Sequence, residues 1–296
     1  MEVKKINGNT FCIFAPTNIG IYTFKGKHAL VIDTGTGNAF AKRIDVILKE
    51  KGLKPRYIIN THHHEDHVGG NKYFKDNYPG VQIYATQYCK LLLQNSMIAG
   101  ISLYAGNPIK AISNKPLCEY VDFELNEGTL KLDDEKFQII FLKGHSESEI
   151  GIITPDKVCF LGDSLFSDTI LKKYSFPFLF DIDSTKKSLE IIKNIDAEYF
   201  VLGHNNDILS KEQCLSLIQR NLDNLSAYEV QILDMLSTPT TKEDLMQNLI
   251  ILNELDLNIK QYFLDMYTLS GFLSYLENKG KLKYSLEDGK LYYYTV

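Results

Sequence analysis

The sequence predicts an α/β (α+β) protein with a small helical module at its C-terminal end. Three observations carry this expectation. Residues 2–33 hold short apolar runs punctuated by Asn7-Gly8, Gly20 and Gly26, the pattern of an antiparallel meander. Residues 29–60 read strand, helix, strand. From about residue 222 onward, three helical stretches precede a hairpin. With 44% hydrophobic and 23% charged residues, the chain has enough apolar material for a sizeable core and reads as globular and soluble. Its 296 residues suit one large domain or a catalytic domain with an appendage.

The elements follow in order. Ala29-Leu-Val-Ile ends a buried strand with Asp33 at its C-terminal edge. Phe40, Ile44, Ile47 and Leu48 then recur at helical spacing until Gly52 stops the helix. Tyr57-Ile-Ile ends a second buried strand, and Asn71-Lys-Tyr-Phe-Lys-Asp begins a helix. Val81-Gln-Ile-Tyr alternates as a strand. Between 86 and 128, Leu91-Leu-Leu predicts a helix that Gly100, Gly106, Pro108 and Pro116 interrupt, in the manner of a cleft border or a packed surface loop. Thr129–Leu132 and Phe137–Leu142 predict strands around the Asp133-Asp134 turn. Ile150-Gly-Ile-Ile and Val158-Cys-Phe-Leu predict a further pair. Ser184 is expected to cap a helix bearing Leu189, Ile192 and Ile195, and Tyr199-Phe-Val-Leu predicts a last strand.

One stretch dominates the chemistry: Asn60-Thr-His-His-His-Glu-Asp-His-Val-Gly-Gly-Asn holds four of the seven histidines. Imidazole and carboxylate are the ligands of zinc, iron and manganese. His62 and His64 are two apart and project the same way from extended backbone, with His63 opposite. Asp66 and His67, in the turn that follows, are placed to serve a second ion. His145, Asp163 and His204 each lie just past the end of an apolar strand, as Asp33 does, and strand ends are where sites are assembled. Taken singly each is a weak signal; together they complete a ligand count, leaving His28 and His63 outside.

These residues resemble the metallo-β-lactamase superfamily. The His-x-His-x-Asp-His signature falls on His62, His64, Asp66 and His67, the later ligands on His145, Asp163 and His204, and the early structural Asp on Asp33. Thr61-His-His-His-Glu-Asp-His-Val-Gly-Gly-Asn and Gly162-Asp-Ser-Leu-Phe are similar to glyoxalase II, the hydroxyacylglutathione hydrolases. The resemblance covers about residues 1–220 and implies an αββα sandwich with metals at one edge. It implies that His62, His64 and His145 hold one divalent ion, that Asp66, His67 and His204 hold another, and that Asp163 bridges them. The expected cofactor is two divalent ions, zinc first, with iron or manganese as alternatives. A bridging hydroxide would attack the substrate, and Asp66 would orient it as a catalytic residue.

The match has limits. Gly144-His-Ser-Glu-Ser-Glu continues with unusual acidity, and Glu147 and Glu149 are expected near a mouth, where they would repel an anionic substrate. Leu171–Phe180 departs from the glutathione-site pattern and reads as an apolar lid, a dimer surface or core. The expected division is a catalytic domain over 1–220 and a winged-helix-like domain over 221–296, similar to the tail of small endoribonucleases of the superfamily. From residue 222 onward there are six Lys, no Arg and eleven Asp plus Glu, a balance of -5. A nucleic-acid reader needs the opposite sign, so a packing, dimerising or cleft-covering role is expected.

The leading expectation is therefore a metal-dependent hydrolase of a small ester, thioester or lactone. The alternative is an endoribonuclease or phosphodiesterase using the same metals. A di-iron oxidoreductase ranks third, because such relatives replace the second motif histidine with Glu and carry a flavin domain. A small-molecule substrate is expected, with a homodimer as a candidate assembly. The five cysteines are scattered, without Cys-x-x-Cys, and the start lacks an apolar leader, which together point to a cytoplasmic protein.

Overall fold

A computed structural model of the chain describes residues 1–112, 120–256 and 258–296. The first sheet opens as the expected meander of β1 (Glu2–Asn7), β2 (Thr10–Phe14), β3 (Ile19–Thr23) and β4 (His28–Ile32), paired antiparallel. It continues through α1 (Asn38–Glu50), β5 (Lys54–Ile59), α2 (Glu65–Val68), α3 (Asn71–Asn77), β6 (Gln82–Thr86), α4 (Gln87–Gln94), α5 (Met97–Tyr104) and β7 (Phe123–Leu125). From β4 to β7 the pairing is parallel, and the strands lie side by side in sequence order.

The second sheet comprises β8 (Gly128–Leu132), β9 (Glu135–Phe141), β10 (Ile150–Ile153) and β11 (Val158–Phe160). After α6 (Asp168–Lys173) and α7 (Ile182–Lys193) it is completed by β12 (Tyr199–Val201) and β13 (Leu209–Ser210), in the order β13-β12-β11-β10-β9-β8. The chain ends with α8 (Lys211–Met235), β14 (Thr240–Thr241), α9 (Lys242–Asn253), α10 (Ile259–Asn278), β15 (Leu282–Glu287) and β16 (Lys290–Thr295). The last three strands form a separate small sheet, β14-β16-β15.

Period-two alternation makes the layers. In β5, Tyr57 and Ile59 point toward the second sheet and pack with Phe137, Ile152 and Phe160. Ile58 points the other way, against Ala41, Ile44 and Leu48 of α1 and Phe74 of α3. In the second sheet Cys159, Leu161 and Phe200 face α7 and α8. The result is helix, sheet, sheet, helix, with both inner sheet faces apolar.

That outer core does not stop at the second sheet. It runs on through Leu217, Leu225 and Ile232 of α8 to Leu245, Leu249, Leu269 and Phe272 of the last helices. α8 is unbroken across position 220, so the expected 220/221 division falls inside one helix. The C-terminal hairpin turns at Asp288-Gly289, both left-handed (φ 48° and 78°), the geometry expected of an Asp-Gly turn.

Several local expectations change. The α7 cap is Asp181, whose carboxylate accepts from the N–H groups of Asp183 and Ser184, rather than Ser184. The 171–180 stretch contains the end of α6, and Phe176 and Leu179 are buried core. Thr240–Thr241 forms β14, which pairs with β16 and adds a strand to the expected three helices and hairpin. Cys12, Cys89, Cys159 and Cys214 are buried free thiols, and burial pushes that of Cys12 up to about 12. Pro116 and Cys118 lie outside the described residues. No helix among the described residues is long and apolar enough to cross a membrane.

Candidate metal centre

The site forms where β4, β5, β9, β11 and β12 end. β4 ends at Ile32, and Asp33 then takes a left-handed conformation (φ 62°), which Asp tolerates better than most residues. Its carboxylate accepts from the Thr61 backbone N–H (2.8 Å) and hydroxyl (2.7 Å), and from His67 Nδ1 (2.7 Å). This one side chain joins the ends of β4 and β5 and fixes the motif loop. The loop closes at Gly70, where a Cβ would meet the Thr34 carbonyl oxygen at 2.4 Å. Only glycine fits such a turn.

All seven predicted ligands come together. His64 Nδ1 lies 2.9 Å from His62 Nε2 and 3.0 Å from His145 Nε2. His204 Nε2 lies 3.2 Å from Asp66 Oδ2 and 3.3 Å from Asp163 Oδ2. His67 Nε2 lies 3.5 Å from both Asp66 Oδ2 and Asp163 Oδ1, and Asp163 Oδ2 is 3.6 Å from His145 Nε2. Three groups therefore have donor atoms converging: His62, His64 and His145; Asp66, His67 and His204; and, between them, His62, His67 and Asp163. His28 bonds Asp133 instead, and His63 turns away to Ser146 and Ser148.

The remote ring nitrogens are held from behind. His145 Nδ1 donates to the Phe178 carbonyl (2.9 Å) and His204 Nδ1 to the Pro16 carbonyl (2.5 Å), leaving both Nε2 atoms facing inward. The Thr17 hydroxyl donates to Asp66 Oδ2 at 2.8 Å. Pro16 and Thr17 left no trace in the sequence pattern, and Phe178 was visible only as part of the apolar 171–180 stretch. Thr61 was visible only as part of the motif.

Glu149 corrects an expectation. It is not at a mouth but fully buried, because it immediately precedes β10 and turns beneath the site. Its Oε1 accepts the Asp163 N–H at 2.9 Å, and its Oε2 lies 3.3 Å from His62 Nδ1. Glu147 does remain partly exposed, where it pairs with Lys143.

The protonation preferences divide the site. Burial, then the neighbouring His67 and His64, hold His62 well below the ordinary imidazole range. Burial, then His63 and His145, does the same for His64. These nitrogens are neutral and ready to ligate. At His204, burial opposes the proton, but hydrogen bonds to Asp163 and Asp66 win and raise it to about 10. His67 is likewise raised against its burial by Asp163, Asp33 and Asp66. Among the described residues, His67 Nε2 and Asp163 Oδ1 are buried without a hydrogen-bond partner. Such atoms are costly unless something satisfies them. Donor atoms about 2.1 Å from a tetrahedral ion sit about 3.4 Å apart, and the observed donor spacings, from 2.9 to 3.6 Å, bracket that. The donor set fits metal ions.

A family model for the metallo-beta-lactamase superfamily matches residues 13–204. The chain belongs to that superfamily. It is 29% identical to a hydroxyacylglutathione hydrolase of Prochlorococcus marinus over 146 residues, 48% of each chain. It is also 27% identical to a metallo-beta-lactamase type 2 of Elizabethkingia meningoseptica over 213 residues, 71% of this chain and 75% of that one. The match spans about half the length of the hydroxyacylglutathione hydrolases. Among solved structures, a beta-lactamase domain protein from Burkholderia ambifaria superposes with TM-score 0.79 at 16% identity, over 100% of this chain and 94% of its own. A metallo-beta-lactamase family protein from Thermus thermophilus gives TM-score 0.73 at 17% identity, over 97% and 98%. Both likenesses extend through the superfamily's core into the C-terminal module and show a shared fold.

Proposed function

We propose that this superfamily member is a dinuclear metal-dependent hydrolase of small esters, thioesters or lactones. His62, His64 and His145 would hold one ion, Asp66, His67 and His204 the other, with Asp163 between them. The observation that supports this best is the position of Asp163, whose two oxygens face His67 on one side and His145 and His204 on the other. Zinc suits the nitrogen-rich first group. Two divalent cations bound there would polarise the scissile carbonyl and lower the pKa of water toward ~7.

The chain's own residues do the positioning. Asp66 Oδ2, fixed by the Thr17 hydroxyl, is placed to orient the attacking water and accept its proton. Water oxygen bonds to the carbonyl carbon, the C–S or C–O bond breaks, and the proton passes to the leaving thiol or alcohol. Asp33 keeps His67 Nδ1 occupied so that Nε2 faces inward. In this reading residues 1–220 carry the chemistry and 221–296 flank it.

The test is a panel of acyl thioesters, esters and lactones offered to metal-replete protein. Turnover that is lost in Asp66→Ala supports the proposal. No turnover of any carbonyl substrate by protein holding two ions, with cleavage of single-stranded RNA instead, would overturn it.

A further inference from the structure

The side of the metal centre formed by His64 and His145 is walled by aromatic rings. The Phe178 ring stands edge-on to both imidazoles, with centroids 5.8 Å from His64 and 5.6 Å from His145. Tyr267 of α10 stacks on Phe178 at 5.5 Å and 22°. The wall is braced from behind. The Thr268 hydroxyl accepts the Leu179 N–H at 3.1 Å, and Tyr267 OH hydrogen-bonds Ser102 of α5 at 2.9 Å. Helix α10 of the C-terminal module thus builds part of the site's surroundings.

Apolar surface continues outward from this wall. Tyr88 of α4 is 38% exposed, as is Phe180, whose ring centroid lies 6.1 Å from that of Tyr267. Tyr88 lies near Tyr267 and Glu147: burial first, then these two neighbours, raise its phenol. Exposed aromatic and aliphatic groups adjoining a site mark the face that a ligand covers. The ionised pair beside them, Glu147 with Lys143, satisfies itself and offers no free positive charge. An anionic tail here would gain no cation from that pair and would lose its hydration, whereas an uncharged apolar group would gain burial.

Resting on the hydrolase reading above, we propose that the Phe178–Tyr267 wall receives the substrate's acyl group, and that this group is an uncharged alkyl chain or aromatic ring. Tyr267, contributed by the C-terminal module, is then a specificity-determining residue.

The experiment compares acetyl and octanoyl thioesters of N-acetylcysteamine, with metal content measured for each protein. Calorimetric titration of octanamide, an inert uncharged analogue, into the same proteins gives a readout independent of turnover. In the wild type, kcat/KM for octanoyl should exceed that for acetyl at least about tenfold. Tyr267→Ala should narrow the ratio to about threefold or less, mainly through KM, and weaken octanamide about tenfold. Tyr267→Phe, which keeps the ring, should retain the preference. Should Tyr267→Ala fail to fold, Tyr88→Ala at its exposed position takes its place. Equal turnover of the two thioesters by the wild type, or an undiminished preference without the Tyr267 ring, overturns the proposal. If no thioester, ester or lactone is cleaved by protein holding two ions while octanamide binding still depends on Tyr267, the hydrolase reading fails and the wall stands.

Discussion

Asp33 Oδ2 sits 2.7 Å from His67 Nδ1, with both side chains buried and the Thr61 hydroxyl donating to the same oxygen. A carboxylate behind a ligating imidazole raises its basicity and fixes its orientation. Asp33→Asn keeps the shape and removes the charge. It should lower affinity for the metal pair by about 10–100-fold. Competition against a chromophoric chelator measures this, and an unchanged affinity would show that Asp33 serves only the turn.

Gly203 approaches the centre through its backbone. A Cβ there would lie 2.2 Å from Asp163 Oδ1 and 3.0 Å from His67 Cε1. Gly203→Ala should displace Asp163 from between the two groups while leaving circular dichroism native. Metal content should fall below that of the wild type. Full occupancy in the alanine variant would refute the tight packing described.

Much of this centre was legible because its residues recur at strand ends, and strand ends can be read from apolar runs. Glu149 was misread for the opposite reason. Its neighbours Ser146, Glu147 and Ser148 make a polar run that looks like surface, and its partners His62 and Asp163 are distant in sequence. The length of α8 was hidden by Asn221, a poor helix former. Its amide accepts from the Phe166 N–H and donates to the Phe166 carbonyl, so tertiary bonds override local propensity. β14 is two residues long, too short for alternation to show.

Metal should also contribute to stability, because ions binding only the folded chain shift the equilibrium toward it. At a free concentration 100 times Kd one site contributes about 2.7 kcal/mol. Removing metal with a chelator should therefore lower Tm by about 5–10 °C. Differential scanning calorimetry checks this, and coincident transitions would contradict it.

Asp265 in α10 supplies a pH test away from the metals. Burial raises its carboxyl from 3.8 to about 6, against an opposing hydrogen bond from Gln261. The folded chain therefore holds this proton more tightly than the unfolded one. The favourable contribution is complete below pH 3.8 and is lost as pH rises through 6, where the buried carboxylate costs about 1–3 kcal/mol. Asp265→Asn should stabilise the protein at pH 8 by that amount and have little effect near pH 4. An equal effect at both pH values would contradict the assignment.

The most direct measurement is the metal stoichiometry of reconstituted, desalted protein by elemental analysis, for the wild type and for Asp163→Ala. The structure predicts two ions per chain in the wild type and one or fewer when the shared carboxylate is gone. A wild type that retains a single ion, or none, would contradict the dinuclear centre.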